Sequence, residues 1–233
     1  MAINLVSDTI DKKDIASLVN WLSQKEIPQL TKGPLTKEYE AKFSKWLGTN
    51  NAVFVNSGSS AILLGLTALK FGGKLKNNKI VVPDVSWATD VSTPLILGME
   101  TYIVDCNQED LSADLYHLES IFREEKPAAF ILVSVLGLVP DMDRIVNLCK
   151  EYDVLLIEDT CESMGSEYKG QKLGTFGCMS FFSTYFGHHV STIEGGIVAT
   201  NDKEINDLLL MIRSHGWDRD LDEATAKELA ERN

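Results

Sequence analysis

Apolar residues near the start of the chain recur at intervals of three and four, which is the spacing of one face of a helix. Residues 10–25 follow this pattern and are predicted to form an amphipathic helix. Residues 27–34 contain two prolines and a glycine, a composition typical of a connector. Thr36 is expected to cap a second helix that runs to Leu47.

Beyond this point, short apolar runs alternate with segments of helical periodicity. Strands are predicted at residues 52–55, 79–83, 101–104, 129–135, 154–157, 180–183 and 196–200. Helices are predicted at residues 60–70, 87–97, 113–123, 142–151 and 203–214, and the polar residues 221–233 are expected to end in a helix. Apolar strands that alternate with helices indicate a parallel sheet covered on both sides. The predicted fold class is therefore α/β, with three layers: a mostly parallel mixed sheet and helices on both of its faces.

Composition narrows the possible partners. The 233 residues suit one large domain, and the net charge of -12 argues against binding to nucleic acid or an anionic membrane. No apolar run approaches the ~18 residues of a membrane span. The chain start has no leader pattern. A reduced, cytoplasmic protein is expected because the four cysteines are scattered without a paired spacing; they are Cys106, Cys149, Cys161 and Cys178.

Small polar residues at positions 56–61 lie between the first predicted strand of the sheet and the helix that follows it. In an open α/β sheet, ligands collect at the carboxyl ends of the strands. The first amides of a helix are unsatisfied donors that attract anions. Ser59 and Ser60 are therefore candidates for binding a phosphate group, and a serine-rich turn with a helix cap is the alternative.

Two further candidates follow other strands. Asp159 belongs to an acidic pair that closes an apolar strand, and it is either a helix cap or a ligand partner. Trp87 follows the strand that ends at Pro83, and an isolated tryptophan is more often part of a core or an interface than a platform for a ligand. His188 and His189 could suggest a metal. Metal binding is disfavoured because adjacent extended residues point to opposite faces and no carboxylate or cysteine stands at a ligand spacing.

The loop 56–61, Trp87, the acidic strand end and the segment 180–196 stand in the order and spacing of a known family. Together they resemble the DegT/StrS family of sugar aminotransferases, which depend on pyridoxal phosphate (PLP). The resemblance covers nearly the whole chain, from residues 31–40 through residues 137–143 to residues 213–216. It implies the fold of the large domain of PLP-dependent transferases.

The resemblance also implies roles for individual residues. It implies that Ser59, Ser60 and Ser183 bind the cofactor phosphate. It also implies that Asp159 pairs with the pyridine nitrogen and that Trp87 stacks on the ring. Glu162 is counted with the cofactor-binding residues, although the family more often has Gln or His there. The family's cofactor lysine stands six residues before Glu194-Gly195-Gly196, and this position is His188.

Histidine at this position changes the implied reaction. An imidazole has no primary amine and forms no stable imine with an aldehyde, yet it remains a competent base at neutral pH. A branch of the family with this replacement comprises nucleotide-sugar 3-dehydratases. The branch implies a noncovalently bound PLP or pyridoxamine phosphate, a nucleotide-activated 4-keto-6-deoxy sugar as substrate, and His188 as general base. It also implies glutamate as amino donor and a homodimer.

Three alternatives stay open. The chain could be an aminotransferase-like protein altered by loss of its lysine, or a non-catalytic truncated fragment, since family members carry a smaller C-terminal domain. On this expectation residues 1–35 form an N-terminal helix and connector, residues 36–233 form the PLP-binding large domain, and the small domain is absent. A nicotinamide-dependent Rossmann domain is the weakest rival because no GxGxxG follows the first strand.

Overall fold

Seven strands form one mixed sheet in the computed structural model, which describes residues 9–232. The strands of the chain are β1 (Asn51–Val55), β2 (Lys79–Pro83), β3 (Glu100–Val104), β4 (Ala129–Val133), β5 (Leu155–Asp159), β6 (Glu167–Tyr168), β7 (Gln171–Lys172), β8 (Met179–Ser183) and β9 (Gly196–Thr200). The order in the large sheet is β1-β9-β8-β5-β4-β2-β3, and β9 alone in it runs antiparallel to both neighbours. Six strands therefore end at one edge, where β9 begins.

Helices cover both faces of this sheet. They are α1 (Lys12–Leu22), α2 (Pro34–Leu47), α3 (Gly58–Phe71), α4 (Ala88–Ile96), α5 (Leu115–Glu125), α6 (Met142–Glu151), α7 (Lys203–Arg213) and α8 (Glu223–Arg232). Alternate residues of a strand point to opposite faces, so Ile131 of β4 packs in the core beneath α3, α4 and α7, whereas Phe130 packs with α5 and α6. A third cluster joins α2 to β1, β8 and β9. The predicted three-layer α/β fold is confirmed.

Several predicted boundaries were wrong for local reasons. Helix α2 begins at Pro34 with Gly33 as its cap, rather than at a Thr36 cap, because proline at the first helical position has a suitable φ and needs no partner for an N–H. The strand predicted at 154–157 is displaced and extends to Asp159. The β6–β7 hairpin was not predicted, although its turn residues Lys169 and Gly170 both have positive φ, as a tight hairpin requires.

Helix α1 forms where the periodicity predicts it, although it is shorter than the predicted segment 10–25. Asp11 caps it by accepting from the amides of Lys13 and Asp14. No residue of α1 is buried, and four of its large apolar side chains are exposed; they are Ile15, Leu18, Val19 and Leu22. The beginning of the predicted unit 1–35, residues 1–8, lies outside the described residues, as does Asn233 at the end of the predicted C-terminal helix.

The free edge of β1 is closed by an ion pair instead of another strand. A Glu40 carboxylate oxygen accepts from the Phe54 amide at 2.8 Å and from Arg213. Arg213 also donates to the Phe54 carbonyl at 3.0 Å. Both polar groups of Phe54 are thereby satisfied by side chains, which protects an edge that would otherwise be open to pairing. This contact fixes the strand that leads into the 56–61 loop.

None of the helices in the described part of the chain is long and apolar enough to span a membrane.

Candidate functional site

The residues predicted to form a site lie at the carboxyl edge of the sheet. Ser59 and Ser60 follow β1, and Trp87 follows β2. Asp159 ends β5 and Ser183 ends β8, while Glu162 and His188 lie in the segments that follow these two strands. The topology therefore collects residues more than 100 positions apart in sequence at one edge, as expected for a ligand site in an open α/β sheet.

The serine-rich loop opens α3. Ser57 is the helix cap: its Oγ accepts from the Ser60 amide at 3.1 Å and donates to Ser60 Oγ at 3.0 Å. Because Ser57 fills the capping role, Ser59 and Ser60 are not needed for it. Within the described part of the chain, the amides of Gly58 and Ser59 have no acceptor, which is the arrangement that binds anions at helix N-termini.

Glycines allow this loop to approach the ends of β8 and β9. A Cβ at Gly58 would stand 2.8 Å from Ser183 Cβ and 3.2 Å from Cys161 Sγ. A Cβ at Gly196 would stand 2.0 Å from the carbonyl oxygen of Ser57, which is impossible without moving backbone. The second glycine of Glu194-Gly195-Gly196 is thus required by packing, and it brings the α3 N-terminus and Ser183 into one cradle.

Asp159 is a buried carboxylate at the centre of the edge. Its Oδ1 accepts from the Cys161 amide at 2.9 Å, and turns rather than a helix follow it, so the helix-cap interpretation was wrong. Burial raises the pKa of Asp159, and hydrogen bonds from Cys161 and Asp90 oppose this rise. A carboxylate supported by several donors can stay ionised inside a protein, which suits a partner for a protonated ring nitrogen.

Asp90 is a buried carboxyl group that sequence analysis missed. It lies in the first turn of α4, where an acidic residue normally interacts with the helix N-terminus. In the structure it is fully buried and its carboxyl group contacts that of Asp159. Burial, followed by the charge of Asp159, raises the pKa of Asp90 to about 9. The only sequence signal was an aspartate three residues after Trp87.

Trp87 is the cap residue of α4 and is 64% exposed, so it is not part of the core. Its amide donates to Asp90 Oδ2 at 3.2 Å, which ties the backbone of Trp87 to the acidic pair. Beside it, Ser59 Oγ lies 3.5 Å from Thr89 Oγ1, so the α3 and α4 N-termini are adjacent. An exposed indole next to an anion-binding helix end suits the stacking of a phosphorylated ring.

His188 lies half-buried in the segment between β8 and β9. Its amide donates to the Tyr185 carbonyl at 3.0 Å, and the centre of its ring is 6.4 Å from that of Tyr185. Burial lowers the pKa of His188, while the Glu162 and Asp159 carboxylates act in the opposite direction. His188 is therefore a mainly neutral imidazole near two acids, which is the state of a general base.

Glu162 and Ser183 are held by backbone groups close to His188 and the loop. Glu162 Oε2 accepts from the Leu136 amide at 2.9 Å, and Leu136 adopts a positive φ of 55°. Ser183 is buried, and its Oγ accepts from the Tyr185 amide at 3.3 Å. These hydrogen bonds orient both side chains at the edge of the sheet.

Side chains that converge closely enough to hold a metal ion lie at another place in the described part of the chain. Among the residues the structure describes, one group of three side chains could hold an ion, and it consists of Asp84, Asp105 and Cys106. His188 and His189 belong to no such group. The polar groups of the edge instead suit an organic phosphate with a basic ring: two free amides and hydroxyl groups at one end, a buried carboxylate at the other, and an exposed aromatic side chain.

A seven-stranded, mostly parallel sheet with this polar carboxyl edge defines a protein of the PLP-dependent aminotransferase fold. Residues 9–231 match the profile of the DegT/DnrJ/EryC1/StrS aminotransferase family, and the chain belongs to this family. The predicted family membership is confirmed.

Several relatives are 3-dehydratases. GDP-4-keto-6-deoxy-D-mannose 3-dehydratase of Yersinia pseudotuberculosis is 38% identical over 222 residues, covering 94% of this chain and 56% of that protein. The Escherichia coli enzyme of that name, solved with bound hydrated PLP, matches with a TM-score of 0.88 and 36% identity, covering 96% of this chain and 57% of that one. A GDP-4-keto-6-deoxymannose-3-dehydratase with a trapped PLP-glutamate geminal diamine gives a TM-score of 0.82 and 34% identity. The match covers 95% of this chain and 57% of that one. The chain thus spans little more than half the length of these relatives.

Proposed function

We propose that this protein is a PLP- or pyridoxamine-phosphate-dependent enzyme that removes the 3-hydroxyl group of a nucleotide-activated 4-keto-6-deoxy sugar. The observation that carries this proposal is His188, half-buried after β8 at the position of the family's lysine, with a pKa that burial lowers and the charges of Glu162 and Asp159 oppose. The similarity to GDP-4-keto-6-deoxy-D-mannose 3-dehydratases supports it. We propose GDP as the nucleotide on the same ground.

The described residues fit the cofactor. Ser59, Ser60 and the free amides at the start of α3 would hold its phosphate, together with Ser183. Trp87 would cover one face of the ring. Asp159 would pair with the ring nitrogen, and Glu162 would bind a polar group of the ring beside His188. The backbone at Gly58 and Gly196 leaves no room for a side chain, and the groups at the start of α3 that face the sheet edge are polar. A small phosphorylated ligand requires such a site.

The bound cofactor supplies an electron sink when its ring nitrogen is protonated. The negative charge of Asp159 favours that proton because it lies in a buried, weakly solvated position. An imidazole nitrogen of His188 would accept the proton that must be removed for the 3-hydroxyl group to leave, and would return it to the departing oxygen so that the group leaves as water, since imidazole accepts and donates protons near neutral pH. His188 cannot tether the cofactor because it has no primary amine.

Glutamate, proposed as the amino donor, would restore the amine form of the cofactor, in keeping with the glutamate adduct of a related 3-dehydratase. A cytoplasmic homodimer is proposed by resemblance. We propose residues 36–233 as the PLP-binding large domain, preceded by a helix and connector at residues 1–35. Transamination of a 4-keto sugar is the second candidate, and membership of an aminotransferase family favours it.

Product analysis tests the proposed function. The protein is incubated with GDP-4-keto-6-deoxymannose, PLP and glutamate, and the sugar is identified by mass spectrometry and NMR. Loss of the 3-hydroxyl group supports dehydration, whereas a 4-amino sugar that retains this group would show transamination. Cofactor binding without any sugar product would favour a non-catalytic PLP-binding protein.

A further inference from the structure

The buried contact between Asp90 and Asp159 is unusual because two carboxylates in contact repel each other in a weakly solvated interior. Asp90 Oδ2 accepts from the Trp87 amide at 3.2 Å. Asp90 Oδ1 is buried and has no donor among the described residues. A buried carboxylate oxygen without a donor is costly, but a protonated oxygen that donates to Asp159 would be satisfied.

We propose that Asp90 is a positioning residue that holds a proton on Oδ1, donates it in a hydrogen bond to the Asp159 carboxylate, and so links Trp87 to Asp159. Asp90 would then be a neutral acid and Asp159 the charged member of the pair. This inference rests on the proposed cofactor site, in which both Trp87 and Asp159 face the ring. The role of Asp90 is to fix the direction of the Asp159 carboxylate before the cofactor enters.

The surrounding groups explain which acid keeps the proton. The Cys161 amide donates to Asp159 Oδ1 at 2.9 Å, and the Cys161 side chain also lowers the pKa of Asp159, whereas Oδ1 of Asp90 has no donor among the described residues. The titratable groups that act on this pair are Glu162, Cys161 and the mainly neutral His188. A carboxylate has about four acceptor positions, so Asp159 retains room for a ring N–H beside the hydrogen bonds from the Cys161 amide and, as proposed, from Asp90.

The first test uses the cofactor-free chain. Asp90 keeps its proton in the folded state to about pH 9, whereas an unfolded aspartic acid loses it near 3.8. The folded protein therefore binds an extra proton between these values, and its stability falls as the pH rises through this range. Asparagine keeps both hydrogen bonds and has no proton to lose. The melting temperature of Asp90→Asn is expected to rise relative to that of the wild type between pH 5 and pH 8.

A pH-independent difference between Asp90→Asn and the wild type would overturn the proton assignment. Glu109→Gln, which removes an exposed carboxylate, is the control for an unspecific change in charge. This measurement needs no cofactor, so a pH-dependent difference in a protein that binds no PLP would support the acid pair and refute the cofactor site.

The second test measures the positioning role. Asp90→Leu keeps the size of the side chain but removes both hydrogen bonds, and we expect PLP to bind roughly 10- to 100-fold more weakly, with a shifted absorbance maximum. Asp90→Asn is expected to restore both the affinity and the spectrum of the wild type. Equal PLP affinity and spectra in the wild type and Asp90→Leu would overturn the positioning role. If Asp90→Leu does not fold, failure of Asp90→Asn to match the wild-type spectrum would overturn it.

Discussion

Replacement of His188 by glutamine is expected to lower turnover of the 4-keto sugar by about 10²- to 10⁴-fold, the usual contribution of a general base. Glutamine keeps a polar side chain of similar reach but accepts no proton at neutral pH. The affinity for PLP should change little, because the proposed phosphate, ring-nitrogen and stacking contacts come from other residues. Steady-state kinetics together with a spectroscopic PLP titration separate these two quantities.

The neighbouring, exposed His189 provides the matched control. His189→Gln should retain wild-type turnover, and an equal loss in both variants would contradict the assignment of the base. The pH profile adds a second criterion. Since burial lowers the pKa of His188, turnover should remain constant as the pH falls to about 6.5 and should decline below that value. An acidic limb above pH 7 would mean that the nearby carboxylates outweigh burial.

Replacement of Arg213 by methionine is expected to lower the free energy of unfolding by about 3 kcal/mol, because it leaves Glu40 as an unpaired charge in a largely buried position. It also removes the donor to the Phe54 carbonyl at the edge of β1. The side chains of Arg213 and Glu40 are each 13% exposed, so water compensates only in part. Chemical denaturation measures this loss.

An exposed ion pair is the control for this prediction. Lys42 pairs with Glu38 on the solvent side of α2, and Lys42→Met should leave the stability unchanged within error because such pairs are screened by water. The double variant Glu40→Gln with Arg213→Met should recover part of the loss, since neither charge of the Glu40–Arg213 pair then remains. A cost of Arg213→Met no greater than that of Lys42→Met would contradict the proposed closure of the β1 edge.

Much of the fold was predictable because the inner strands of its large sheet are buried on both faces and therefore appear in the sequence as short apolar runs. The periodicity placed β2, β9 and α6 at their observed bounds. It was less accurate where backbone chemistry at a helix start or tertiary contacts decide the outcome. Gly33 and Pro34 start α2 earlier than predicted, and the strand at 154–157 extends into the acidic pair because that pair is buried.

The residues of the candidate site could be named from the sequence because a family resemblance identified them. The sheet topology then brings these residues to one edge. The contacts that support those residues were not predictable. Asp90 resembles an ordinary first-turn acid in sequence, and only its burial against Asp159 distinguishes it. Glu40 and Arg213 lie in the resembling segments 31–40 and 213–216, but their contact across β1 depends on the packing of α2 and α7.

The central claim is that the cofactor binds without a covalent bond because His188 replaces the lysine. Borohydride treatment of the PLP-loaded protein, followed by intact-mass and peptide-mass analysis, tests this most directly. We expect the wild type to release all PLP on denaturation, and His188→Lys to retain one reduced PLP at residue 188. Stoichiometric retention of reduced PLP by a lysine of the wild-type protein would contradict the claim.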